Sequence, residues 1–391
     1  LVGSEMCIRD SGYSTQGRMG VEALANYYMI NTNTSLTNKV KNDTAGKKNP
    51  GDNVYTTLDV KVQQVANDQL DIYRGAIIVT EVSTGKIIAM VSHPDFDPNS
   101  IAEIWDDLVD NDSSTVLLNR ATQGLYPPGS TFKIVTALEY IRENPDTYQN
   151  YSYNCNGSFR LGDSKISCYH GSNHGQVDFK KSFAKSCNSS FANIGMSLDR
   201  EAFQETLNDL LFNKDLPLTL NYAKSSALVS ESTPSAEMMQ TSIGQGKTQI
   251  TPMHLNMITC AIANDGVLMK PYVIDRVEND EGTVIKSFKA SEYGRLMSED
   301  EAAILRQLMT DVVQEGTASK LKGLSYTAAG KTGSAEYNNV KGDSHAWFTG
   351  FAPAEDPEVC VTIIVEGAGS GGDYAVPIAR RIFDAYFSEK Q

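Results

Sequence analysis

Apolar positions along the chain follow two periods, and together they outline the fold. Phe132, Ile134, Val135, Leu138 and Ile141 share one side of a 3.6-residue repeat, which predicts a helix. The stiff turn Tyr126-Pro-Pro-Gly129 precedes it and puts Ser130 at the helix N-terminus. Gly75 to Val82 and Lys86 to Ser92 are β-branched runs either side of Ser83-Thr84-Gly85, the pattern of a β-hairpin. Three further strands, Lys331 to Tyr337, His345 to Phe351 and Val359 to Glu366, read as an antiparallel meander with a turn over Asn338 to Ser344.

Helical spacing recurs over Gly20 to Met29, 60–73, around Ser186, over 200–212, from Thr251-Pro252 to Ala263, over 298–315 and from Val376 to Phe387. Val54 to Asp59 is a short alternating strand, and 266–290 a second small hairpin. Residues 100–123 read as helical or irregular, 150–178 as polar and Gly-containing without a period. The Asn-, Thr- and Lys-rich stretch after Met29 closes in a turn over Lys48 to Asp52. Strands flanking a block of helices predict an α+β fold, an antiparallel sheet packed with helices. Residues 51–391 make the main domain, and 1–50 are too few for a core of their own and read as the tail of a preceding domain.

Composition narrows the function. A net charge of −14 and a pI near 4.9 argue against nucleic acid, whose binding needs a basic surface. The sequence has neither an apolar run of about 18 residues nor a signal peptide at its start. Residues 1–10 do not connect with the rest of the chain and are expected to be foreign, so Cys7 is set aside.

The candidate chemistry begins at Ser130 and Lys133, which share a helix face by i,i+3 geometry. A serine hydroxyl becomes a useful nucleophile when a lysine with a lowered pKa takes its proton. Ser-x-x-Lys alone is a weak signal, because Ser83/Lys86, Ser182/Lys185 and Ser319/Lys322 also match. The first is a hairpin turn, the second reads as an exposed helix face and the third as a helix end. Two downstream motifs single out Ser130: Ser186-Cys187-Asn188, and Lys331-Thr332-Gly333-Ser334 opening a strand. In that order the three motifs are the signature of penicillin-binding proteins and serine β-lactamases.

On these motifs the chain resembles a class B penicillin-binding protein, a peptidoglycan D,D-transpeptidase, over roughly residues 50–391. Thr56 to Asp59, Leu118 to Gly124, Gly244-Gln245-Gly246 and Trp347 to Phe351 add to the likeness. The resemblance implies the serine β-lactamase/transpeptidase fold, with 11–50 as the end of an N-terminal pedestal domain and a membrane anchor upstream. It implies that Ser130 attacks the bond between two terminal D-alanines with Lys133 as base. Ser186 would relay a proton to the leaving amine and Asn188 orient the donor amide. Lys331 would supply positive potential, and Thr332, Gly333 and Ser334 would receive the donor carboxylate. Backbone N–H groups of Ser130 and Ser334 would form an oxyanion hole, worth roughly 3–4 kcal/mol per donor in other enzymes. The expected partners are stem peptides, β-lactams and a membrane glycan polymerase, at the extracytoplasmic face of a bacterial membrane, with no cofactor for catalysis. The remaining alternatives are a serine β-lactamase, a D,D-carboxypeptidase and a non-catalytic scaffold that binds β-lactam or murein.

The cysteines leave two readings open. Cys155 and Cys168 could form a disulfide, as extracytoplasmic proteins allow. Cys155, Cys168, His174 and Cys187 are also a zinc-type ligand set, with Cys187 inside the second motif. Cys260 and Cys360 fall in apolar runs as buried thiols. His93, His254 and His345 have no ligand spacing.

Overall fold

The computed structural model describes residues 20–97, 100–110, 115–337 and 343–388. The first ten residues, Cys7 and most of the Asn338–Ser344 turn lie outside them. Its centre is a five-stranded antiparallel sheet in the order Ala329–Glu336, Ser344–Ala352, Val359–Val365, Gly75–Glu81, Ile87–His93. One row of the register runs Lys331, Thr349, Thr362, Ile78, Met90 across all five strands. The hairpin and the meander predicted from sequence are thus two halves of one sheet.

Helices cover both faces of this sheet, so its three inner strands are buried along nearly their whole length. That is why Ala76 to Val79 reads as a continuous apolar run rather than an alternating one. Pro252–Ala263 lies against one face with every residue buried, and its composition is accordingly apolar all round. Two of its polar side chains pair with the sheet: Thr259 Oγ1 lies 2.6 Å from Thr349 Oγ1, and Asn256 accepts from Thr80 at 2.7 Å. Val60–Leu70 and Ala375–Ser388 pack over the sheet from elsewhere in the chain. Glu299–Gln314 packs beside the edge strand Ala329–Glu336 and starts from a capping box formed by Ser298 and Glu301.

Several sequence expectations need correction. The hairpin over 266–290 is split: Ile274–Glu278 pairs with Val284–Ser287 and with Asn53–Thr56, whereas Val267–Met269 pairs with Glu292–Arg295. The polar stretch after Met29 holds a helix, Leu36–Thr44, with no buried residue and no apolar stripe to betray it. Ser35 caps it and donates to Glu281 at 2.5 Å, which ties it to the Ile274–Ser287 hairpin. Residues 150–178 contain two small sheets, Ser152–Cys155 with Gly175–Asp178 and Ser158–Leu161 with Ser164–Ser167. Ser182 is fully buried and accepts from Ser190 Oγ at 2.7 Å, so its Ser-x-x-Lys match is not on an exposed face. No helix of the described residues is long and apolar enough to cross a membrane.

Glycines set how closely the Ser130 turn meets its neighbours. Gly129 N–H donates to the Gly244 carbonyl at 2.8 Å, and Gly244 has φ +72°. A Cβ on Gly244 would stand 2.1 Å from the Gly129 oxygen. Gly244→Ala is therefore expected to destabilise the protein by about 2 kcal/mol or more and to displace the Ser130 turn. Chemical denaturation with an unchanged midpoint would contradict that packing.

Candidate active site

Ser130 lies in a 3₁₀ turn, Gly129–Phe132, that runs directly into the helix Lys133–Glu143. The α-helix thus begins one residue later than its apolar pattern suggests. The turn is fixed from three sides. Trp347 Nε1 donates to the Pro127 carbonyl at 3.1 Å, and Tyr126 exchanges backbone bonds with Ile250 at 3.1 and 2.9 Å. Tyr126 O–H donates to Glu366 at 2.8 Å, where Arg120 Nε also donates at 2.7 Å.

Lys133 is completely buried, and its Nζ is surrounded by oxygen. It donates to Asn188 Oδ1 at 2.6 Å and to the Ser186 carbonyl at 2.7 Å, while Ser130 Oγ and Ser186 Oγ each stand at 3.1 Å. The two shortest partners can only accept, whereas the two hydroxyls can donate. A neutral amine fits this set: two N–H groups for the carbonyl oxygens and a lone pair for a hydroxyl proton. Burial lowers the Lys133 pKa to about 7, although the nearby Cys187 and Cys168 thiols oppose the shift. Lys331, also fully buried, reaches Ser186 Oγ at 3.0 Å from the opposite side. Burial and then the charge of Lys133 drive its pKa well below that of an ordinary lysine.

Ser186 occupies the left-handed region at φ +55°, an uncommon conformation for a serine. It links the helices Phe179–Ala184 and Asn188–Ser197, so that its hydroxyl sits between the two amines. Asn188 Nδ2 donates to the Ser167 carbonyl at 3.0 Å, which leaves its oxygen turned to Lys133. On the facing wall, Thr332 Oγ1 lies 2.5 Å from Thr317 Oγ1, and Ser334 Oγ accepts from Gly371 N–H at 3.3 Å. Ser130, Ser186, Asn188, Thr332, Gly333 and Ser334 open onto one cleft of about 470 Å³. The arrangement is a serine hydroxyl beside a buried amine able to be neutral, a second hydroxyl between two amines, and an edge strand on the facing wall.

The structure brings together every residue that sequence reasoning placed here, and adds three. Thr317 gave no motif, but its hydroxyl holds Thr332. The Gln245 amide pairs with the backbone of Glu336, its nitrogen donating at 3.2 Å and its oxygen accepting at 3.1 Å. Glu366 follows the apolar strand Val359–Val365, and its Arg120 and Tyr126 contacts reveal that it braces the Ser130 turn.

Behind Ser186, the ligand atoms of Cys155, Cys168, His174 and Cys187 all lie within 4.8 Å of one another. Cys155 Sγ is 3.7 Å from Cys168 Sγ and 3.4 Å from His174 Nδ1, and Cys168 Sγ is 3.8 Å from Cys187 Sγ. The disulfide considered for Cys155 and Cys168 is not formed. All three cysteines are free thiols, their sulfurs turned toward a shared centre. A hydrogen bond between Cys168 and Cys187 holds the first thiol's pKa down and pushes the second's up. Ser189 Oγ lies 3.0–3.3 Å from the three sulfurs. Cys260 and Cys360 are buried in the core, as expected. Among the other histidines, His254 is buried with Nε2 on the Leu210 carbonyl at 2.7 Å, and His345 stacks on Tyr337.

This fold and cleft define an active-site serine acyltransferase with a buried lysine beside the serine. Residues 75–384 match the penicillin binding protein transpeptidase domain, and the chain belongs to that family. It is 32% identical over 370 residues to the peptidoglycan D,D-transpeptidase PbpA of Mycolicibacterium smegmatis, covering 88% of this chain and 74% of that protein. The imipenem acyl-enzyme complex of penicillin-binding protein A from M. tuberculosis superposes with a TM-score of 0.89 at 28% identity, covering 99% and 92%. The penicillin-binding protein PBP2 of Helicobacter pylori, solved with MreC, superposes at 0.73 and 25% identity, covering 85% and 64%.

Ser186→Ala would leave both buried amines without their shared hydroxyl. Acylation of Ser130 is expected to slow by roughly 10²-fold, within the range of a lost proton-transfer group, while the fold persists. Wild-type acylation kinetics in that variant would remove Ser186 from the reaction.

Proposed function

We propose that this chain is a peptidoglycan D,D-transpeptidase that works through a Ser130 acyl-enzyme. The observation that carries the reading is Lys133 Nζ, fully buried and 3.1 Å from Ser130 Oγ, with only neutral oxygens as hydrogen-bond partners. Neutral Lys133 takes the Ser130 proton as Oγ attacks the carbonyl between the terminal D-alanines of a donor stem. The leaving amine is protonated through Ser186, which Lys133 and Lys331 both touch. Thr332 and Ser334 receive the donor carboxylate, and backbone N–H groups of Ser130 and Ser334 hold the oxyanion. An acceptor amine then takes the acyl group from Ser130, giving the crosslink. β-Lactams mimic the donor end and trap Ser130. By likeness to the family, the protein works at the extracytoplasmic face of the membrane beside a glycan polymerase, with residues 11–50 as the end of a pedestal domain.

A fluorescent penicillin followed by intact mass tests this reading. A long-lived single adduct, absent in Ser130→Ala, is the expected result. An adduct that clears within seconds indicates a β-lactamase, and no adduct on folded protein leaves a scaffold. Because the base must be unprotonated, acylation should fall about tenfold per pH unit below the Lys133 pKa of about 7 and level off above it. A flat profile from pH 5 to 9 would exclude Lys133 as the base.

We further propose that Cys155, Cys168, His174 and Cys187 hold a structural zinc ion. Sulfurs ~2.3 Å from a tetrahedral zinc are ~3.8 Å apart, and a sulfur–imidazole edge is ~3.5 Å. The sulfur separations of 3.7 and 3.8 Å and the sulfur–nitrogen separation of 3.4 Å support that geometry. Ser189 Oγ would donate to the Cys155 thiolate from behind. With four protein ligands the ion has no open position and no part in the chemistry. Elemental analysis of protein purified without chelator should find one zinc per chain, and chelation should lower the melting temperature. Metal-free protein of unchanged stability would end the proposal.

A further inference from the structure

Past the reaction centre, the cleft ends at a charged rim. Two segments meet there, Gly316–Lys320 and Ser370–Asp373, and glycine makes their approach possible. A Cβ on Gly372 would lie 2.8 Å from the Thr317 carbonyl, and one on Gly371 would lie 2.4 Å from the Gly333 carbonyl. The rim is therefore seated directly on the Thr332–Ser334 wall. On it, Lys320 Nζ lies 2.8 Å from Asp373 Oδ1, with the side chains 49% and 67% exposed. Among the described residues lining the cleft, Asp373 carries the one carboxylate, against the ammonium groups of Lys185 and Lys320. Tyr169, which also lines the cleft, is close enough to feel the Asp373 charge.

An ion pair this exposed adds little to stability, and its members exchange partners readily. A ligand bearing an ammonium and a carboxylate on one carbon would replace one bridge with two, since Asp373 takes the cation and Lys320 the anion. The transpeptidase reaction requires an amine of some kind to enter the cleft after acylation. We propose that Lys320 and Asp373 form the acceptor subsite, selecting an amine whose carbon also carries a carboxylate. This rests on the transpeptidase reading above. Asp373 docks the incoming ammonium, which loses one proton to solvent. The nitrogen then bonds to the acyl carbon as the bond from that carbon to Ser130 Oγ breaks, and the second amine proton passes through Lys133 to Oγ.

The test measures partition of the acyl-enzyme between aminolysis and hydrolysis, using a thioester donor and two near-isosteric acceptors, D-alanine and D-alaninamide. Lys320→Ala is expected to lower the aminolysis-to-hydrolysis ratio about fivefold for D-alanine and to spare D-alaninamide, which has no carboxylate. Asp373→Asn should lower the ratio for both acceptors. The charge-swapped variant Lys320→Asp with Asp373→Lys keeps a bridge and should still lose D-alanine. Equal effects of Lys320→Ala on the two acceptors, recovery in the swapped variant, or no effect at all would overturn the subsite. Because the ratio is taken on protein already acylated, its failure is distinct from failure of the transpeptidase reading, which would appear as no acylation of the wild type.

Discussion

The site depends on a lysine buried without a carboxylate beside it. Among the described residues no carboxylate reaches Lys133, and its four hydrogen-bond partners are a carbonyl, an amide oxygen and two hydroxyls. Water would favour the ammonium form by several kcal/mol over such a setting, so burial shifts the balance toward the amine. A carboxylate at Asn188 would reverse this by stabilising the charge. The neutral amide both orients the amine and leaves it basic, and that requirement explains why the second motif presents an asparagine.

The rest of the fold keeps that lysine dry and aligned. Helix and sheet must meet closely at the Ser130 turn, so glycine recurs at Gly129, Gly244 and Gly333, each with backbone or a neighbouring Cβ where its own Cβ would stand. Lys331 arrives on the edge strand because the sheet's order leaves Ala329–Glu336 unpaired on one side. Its amine then approaches Ser186 from across the cleft, where burial and then the charge of Lys133 lower its tendency to hold a proton.

Much of this is legible in the sequence, and for physical reasons. Ser130, Lys133, Ser186, Asn188 and Lys331 sit in short motifs with fixed local geometry, so order along the chain stands in for proximity. The core helices and the five strands carry strong apolar periods. Leu36–Thr44 and the small sheets of 152–178 escape because they bury little, and their stability comes from caps, turns and side-chain bonds that leave no periodic trace. Ser182 misleads for the opposite reason: a polar residue inside the core is paired with Ser190, a contact that spacing alone does not indicate. Thr317 and Glu366 act through partners brought in by the fold, 15 and 240 residues away.

Cys187 joins the two halves of the site. It lies between Ser186, held at φ +55°, and Asn188, the first residue of a helix that Cys187 itself caps. A left-handed serine is unfavourable by about 1–3 kcal/mol and persists only where its surroundings fix it on both sides. Asn188 is fixed by the Ser167 carbonyl, on the strand that leads to Cys168. The thiol cluster therefore anchors both the residue between the motif's polar groups and the strand that orients one of them. Loosening the cluster frees the Ser186 backbone to relax, which withdraws its carbonyl and hydroxyl from Lys133 together. The amine would then lose two of its four partners and admit water in their place, and with water comes the charge that the buried site was built to suppress.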